Sequence, residues 1–160
     1  MSFFELLKPS KWKSERWLYN IEKSHNFIES ITTDSENKPK EKQFSWHVVG
    51  ESNYQKNIKK VEKLKEKSDT ATNTAILKYE NNNPHDEKAV VVIMEGYIVG
   101  YLSREDARKF RKKINNLIKR NEIPDEADLF TCKAELIGGY INHNGQMLSY
   151  GVVVTLPFSD

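Results

Sequence analysis

The segment Ala89–Leu102, AVVVIMEGYIVGYL, constrains the fold of this chain more than any other stretch. Ala89 to Met94 is a nearly continuous apolar run rich in β-branched residues, and Tyr97 to Leu102 is a second run of the same kind. Only Glu95-Gly96 separates them, a pair suited to a two-residue hairpin turn, so the segment is expected to fold back on itself as two strands. Gly100 inside the second run marks a bulge or a close backbone approach. Upstream, Asn81-Asn82-Asn83-Pro84-His85-Asp86 is a dense reversal signal: Asn and Asp side chains close local turns, and Pro84 pushes Asn83 toward extended backbone. Downstream, Ser103 ends the strand and starts a helix, with Asp106 three residues on in a near capping box.

The rest of the chain can be read around this hairpin. Residues 1–42 form an appended arm in which Phe3, Phe4, Trp12, Trp17 and Phe27 are interspersed with charges and Pro9. Trp17, Leu18, Ile21 and Ile28 suggest a short amphipathic helix within Lys13–Glu29, and Thr32–Lys42 has the polar, Pro-containing character of a linker. The main domain, residues 43–158, opens with a strand over Phe44–Gly50. Tyr54, Ile58, Val61 and Leu64 then share one helical face whose other side carries Lys56, Lys59, Lys60, Lys63, Lys65 and Lys67. Thr74–Tyr79 reads as a strand. After the central hairpin, Ala107, Phe110, Ile114, Leu117 and Ile118 define the buried stripe of a helix ending near Asn121, with Pro124 barring its extension. Phe130–Leu136 alternates as a strand, Gly138–Gly145 reads as a loop, and Met147–Leu156 as the last strand.

Composition narrows the function classes. A chain of 160 residues can bury a core without disulfides or metals. Its single cysteine, Cys132, excludes an intrachain disulfide and any multi-cysteine zinc site, which favours a reducing, cytoplasmic setting. No apolar run approaches the ~20 residues of a membrane helix, and Met1–Glu5 lacks the start of a signal peptide, so neither membrane spanning nor secretion is expected. The net charge of +2 says little, but its distribution is uneven. Arg104–Arg120 holds eight basic residues against Glu105 and Asp106, a net +6 on one helix. Such a helix either serves solvation or guides a polyanion. His25, His47, His85 and His143 share no metal-ligand spacing, and no Gly-rich phosphate loop precedes a helix, so neither an enzyme nor a cofactor is expected.

The ordered motifs Asn83-Pro84-His85-Asp86, Ala89-Val90-Val91-Val92 and Val99-Gly100-Tyr101-Leu102 resemble the core of the HIRAN domain. Val48–Gln55 upstream, and Cys132–Tyr140 with Tyr150–Leu156 downstream, extend the likeness over roughly residues 44–156. Periodicity alone gives an α+β fold. The resemblance adds closure into a small OB-like curled β-barrel of about six strands with two inserted helices, a two-layer sandwich being the physical alternative.

HIRAN domains of DNA-remodelling helicases bind single-stranded DNA at its free 3′ end, and the resemblance carries that expectation here. Asp86 would accept a hydrogen bond from the terminal hydroxyl, and Asn83 would lie near the terminal nucleotide. His85 stands where the motif has an aromatic stacking residue, and Tyr54 lies one residue after Asn53, where the family has another. Arg104, with Tyr101 beside it and Arg108 one turn on, would meet phosphate. Spacing alone assigns Asn81–Asp86 to turn chemistry, and only the resemblance makes them a ligand site. The expected function is thus a non-enzymatic module for single-stranded or 3′-terminal DNA in repair, processing or a mobile element. The rival is a protein-binding adaptor or inhibitor whose aromatic arm, residues 1–42, holds a partner.

Overall fold

The computed structural model describes residues 44–67, 74–121, 123, 125 and 129–156, together with the backbone of three short strands, β1 (Leu18–Asn20), β2 (Ile31–Thr33) and β3 (Pro39–Glu41). The remaining elements are β4 (Phe44–Val49), a single 3₁₀ turn (Glu51–Asn53), α1 (Gln55–Lys67), β5 (Thr74–Glu80), β6 (Ala89–Met94), β7 (Tyr97–Leu102), α2 (Arg104–Lys119), β8 (Leu129–Ile137) and β9 (Gly151–Leu156).

Six of the strands close into an antiparallel ring. Following hydrogen bonds, the order is β8-β5-β6-β7-β4-β9, and β9 returns to β8. Closure is possible because β8 is long enough to divide its pairing: Leu129–Lys133 face β5, and Lys133–Ile137 face β9. Among the described residues the fold is therefore α+β, as the hairpin and helix patterns lead one to expect, with two helices and a barrel-like sheet whose closure periodicity alone did not give.

Inward positions of every ring strand meet in one core. Trp46, Val48, Leu77, Val90, Val92, Val99, Phe130, Val152 and Val154 join Ile58 and Val61 of α1 and Ala107, Phe110, Ile114 and Leu117 of α2. Phe110 and Phe130 meet edge to face at 5.4 Å between centroids, with Tyr79 packed against both. A second, smaller cluster on the other face of the sheet gathers Ile76, Val91, Ile93 and Leu129, with Ile98 and Tyr101 against it. Because β6 is apolar toward both clusters, all six of its residues are buried.

The central hairpin takes its expected form. Glu95 and Gly96 both have positive φ, 49° and 82°, the handedness a two-residue turn needs to match strand twist. Ser103 caps α2, its Oγ accepting the Asp106 N–H at 3.0 Å. In β7 the register slips: Val92 pairs with Gly100, but Ile93 pairs with Ile98, leaving Val99 as an extra residue. This bulge changes the side-chain alternation. Tyr97, Val99 and Leu102 point into the main core, and Tyr101 turns to the opposite face.

Four expectations need correction. Leu18–Asn20, expected within an amphipathic helix, is extended and pairs in parallel with Leu129–Thr131, so the arm adds a strand to the main sheet. Thr32–Lys42, read as a linker, contributes to the β2–β3 antiparallel pair, in which backbone pairing prevails over polar composition. Leu64 is exposed, because the buried stripe of α1 stops at Val61. The last strand begins at Gly151 and not at Met147. Residues Gly139–Leu148 form their own small hairpin, bridged at Ile141 and Met147. The rest of Lys13–Glu29 and of residues 1–42 lies outside the described residues.

At Gly100, a Cβ would stand 2.5 Å from Val48 Cγ1 and 2.6 Å from the Val49 carbonyl oxygen, on backbone with φ of 154°. Gly100→Ala is therefore expected to lose about 2 kcal/mol of stability through overpacking against a backbone atom that cannot yield. Urea unfolding measures this as a lower midpoint at unchanged slope; an unchanged midpoint would show that the β4–β7 joint can open to accept the methyl group.

Candidate functional site

The turn between β5 and β6 is built largely by one asparagine. The Asn83 Oδ1 accepts the N–H groups of His85 (2.8 Å) and Asp86 (3.1 Å), and its Nδ2 donates to Glu80 at 2.8 Å. These bonds satisfy backbone donors that the reversal would otherwise leave without partners. Asp86 continues the pattern, Oδ1 accepting the Lys88 N–H.

Helix α2 then grips this turn from outside. Arg104, Arg108 and Arg111 follow one another at helical spacing and so line one face of the helix. Arg104 donates to the His85 carbonyl at 3.1 Å. Arg108 makes a two-point pair with the Asp86 carboxylate at 3.1 and 3.2 Å. Arg111 donates to Asn81 Oδ1 and to the Ala89 carbonyl, both at 2.9 Å, while its guanidinium lies 4.1 Å over the Tyr79 ring. The Arg108 guanidinium and the Lys88 N–H hold the Asp86 carboxyl below the usual carboxylate range, and the same pair raises Arg108.

The cavity beside the turn has a volume of about 440 Å³, between β4, β7, the 3₁₀ turn and the start of α2. It is lined by Asn53, Tyr54, Asn83, His85, Asp86, Tyr101 and Arg104, with Val49, Gly50, Ala89 and Leu102 as its apolar floor. Tyr54 and Tyr101 present tilted rings 6.3 Å apart. The Tyr101 hydroxyl donates to the Glu80 carboxylate at 3.1 Å; burial and then the Glu80 charge raise its pKa, keeping it a donor. His85, Asn53 and Arg104 are exposed at the rim.

Seven of the eight residues singled out in the sequence thus line one cavity, and the eighth, Arg108, is ion-paired to Asp86 behind it. Three serve the architecture as well: Asn83 closes the turn, Asp86 is held by Arg108, and Arg104 bonds the His85 carbonyl. Sequence reading missed Glu80, which links Tyr101 to Asn83, and Arg111, which anchors both ends of the turn. The spacing of Arg104, Arg108 and Arg111 was the signal available for the arginines. Among the described residues, no group of three or more His, Cys, Asp or Glu side chains is arranged to hold a metal ion. No helix among them is long and apolar enough to cross a membrane.

No family model and no curated protein matches the chain. A crystal structure of a Lactobacillus plantarum protein, a structural-genomics target, aligns with 72% of this chain and 99% of its own at 13% identity, with a TM-score of 0.28. A likeness of that size carries no functional argument.

The Asp86–Arg108 pair makes stability pH-dependent in a definite direction. The native pKa of Asp86 is lowered, so its ionised form favours the folded state above the unfolded value of about 3.9. That contribution is lost as pH falls through the lower native value. Asp86→Asn is expected to melt below the wild type at neutral pH, with the difference shrinking in strong acid. Calorimetry across acidic pH checks this; a difference independent of pH would assign the loss to packing of the turn.

Proposed function

We propose that this domain is a non-enzymatic DNA-binding module that takes single-stranded DNA, including a free 3′-hydroxyl end, into the cavity between β4, β7 and the 83–86 turn. The gathering of Asn53, Tyr54, Asn83, His85, Asp86, Tyr101 and Arg104 around a single opening carries the reading. These residues come from distant segments of the chain, and the HIRAN resemblance is what suggests a shared ligand for them.

The chemistry of the lining fits a nucleotide terminus. A base needs a flat apolar surface, which Tyr54, Tyr101 and the floor of Val49, Ala89 and Leu102 supply, with the exposed His85 ring at the rim. Asp86 stays ionised and uses its two oxygens on Arg108 and Lys88 without exhausting their lone pairs, so it can also accept from a terminal hydroxyl. Arg104 and the following basic turns of α2 provide cations for the phosphates leading to that end. The arginine contacts hold the turn in place before a ligand arrives, which lowers the ordering cost of binding.

Fluorescence anisotropy with labelled oligonucleotides tests the reading. Single strands ending in a 3′-hydroxyl should bind more tightly than the same strands ending in a 3′-phosphate, which meets the Asp86 charge, and more tightly than blunt duplex. Tyr54→Ala should weaken binding by the roughly 1–3 kcal/mol typical of one stacked base. Arg104→Glu should weaken it further and flatten its salt dependence. Binding that is strongly salt-dependent yet indifferent to Tyr54→Ala and to the strand end would reduce the site to a basic surface; no binding at low salt would remove the proposal.

A further inference from the structure

β4 pairs with β7 on one edge and with β9 on the other, and a cavity opens at each edge. The second cavity has a volume of about 560 Å³ and shares no residue with the first. The 3₁₀ turn divides them: Asn53 faces the first, Glu51 and Ser52 the second. Ile137 and Gly138 at the end of β8, Tyr140 and Leu148 of the β8–β9 hairpin, and Tyr150 and Gly151 supply the other walls. These walls are braced. Gln55 donates to the Glu51 and Tyr150 carbonyls at 3.0 and 2.9 Å and accepts the Tyr150 N–H at 2.8 Å, and the Tyr150 hydroxyl donates to Glu62. Glycine keeps the space open. A Cβ at Gly138 would stand 2.1 Å from the Ser149 carbonyl oxygen, and one at Gly151 would meet Ile137 at 2.9 Å and Glu51 Oε1 at 3.8 Å.

The charge of this cavity is negative. Glu51, half-buried, is the one lining residue with a charged side chain, and among the described residues it has no ion pair. The Tyr150 pKa is raised by its bond to Glu62, by burial, and by the charges of Glu62 and Glu66, so the field from α1 is negative as well.

We infer that this cavity receives the guanidinium of an arginine side chain presented by a partner peptide. A carboxylate meets the planar fork of a guanidinium at two points, a pairing that an ammonium cannot make, and a tyrosine ring takes its flat face. Tyr140, 58% accessible, offers such a ring, while Ile137 and Leu148 can pack against the aliphatic stem. Ile141 and Met147, exposed on the same hairpin, give apolar contact to the residues flanking the arginine, which favours a peptide over a free amino acid. DNA is the poorer occupant, because Glu51 repels phosphate and no lining residue is cationic. The inference is independent of the DNA site.

Nuclear magnetic resonance of the ¹⁵N-labelled full chain, titrated with end-blocked Leu-Arg-Leu and its lysine and citrulline counterparts, tests this. The arginine peptide should shift the amides of Gly138, Ser149 and Gly151 saturably. The lysine peptide should bind several-fold more weakly, and the uncharged citrulline peptide at least about tenfold more weakly. Glu51→Gln should weaken the arginine peptide by about the same factor and keep the wild-type melting temperature, whereas Glu105→Gln, which removes a carboxylate from α2, should change nothing. Equal binding of lysine or citrulline, indifference to Glu51→Gln, or no saturable shift with any peptide would overturn the inference. So would shifts of the same amides by a single-stranded oligonucleotide and not by the arginine peptide, which would join this cavity to the nucleotide site.

Discussion

The extra residue in β7 is the constraint on which the rest depends. Had β7 kept a strict two-residue alternation, Tyr101 would share the core-facing side with Tyr97 and Val99, and Leu102 would face outward. The bulge at Val99 and Gly100 exchanges them. Leu102 is buried beside β4, and Tyr101 turns toward Tyr54 and Glu80. Gly100 makes this possible because its missing side chain lets β7 approach the carbonyl of Val49. Only Val48 and Val49 of β4 pair with β7, so a short joint closes the ring there, and the cavity opens beside it.

The second organising element is electrostatic. By count alone, α2 is a strongly basic helix, and a basic helix invites a polyanion reading. Its three arginines nearest the turn are already engaged, with His85, Asp86, Asn81 and Ala89 as their partners. A guanidinium that bonds a loop carbonyl or carboxylate still presents positive potential to a nearby anion, so structural and ligand-binding roles can coexist. The consequence is a rigid rim. The turn that would meet a ligand is held at both ends by Arg111 and in the middle by Arg104 and Arg108.

Charge also separates the surfaces of the molecule. The cavity rim carries cations beside an ionised aspartate, and the β8–β9 hairpin exposes apolar side chains in a stretch without Asp, Glu, Lys or Arg. Each is fixed to the barrel by a different helix, the turn by α2 through arginines and the hairpin by α1 through Gln55 and Glu62. Two helices packed on one core thus position two surfaces of different chemistry.

Much of the fold could be read in the sequence by itself. The Glu95-Gly96 turn, the Ser103 cap, the Ala107–Leu117 stripe and the six strands of the main domain are local: each follows from backbone preferences and from apolar spacing within a few residues. The reversal at Asn81–Asp86 was legible for the same reason. What only tertiary structure decided depends on contacts between residues far apart in the chain. The division of β8 between β5 and β9, the pairing of Leu18–Asn20 with β8, the burial limit of α1 at Val61 and the partners of Arg104, Arg108 and Arg111 are all of this kind. Local patterns state which side chains share a face; which faces meet is settled only when the ring closes and the core excludes water.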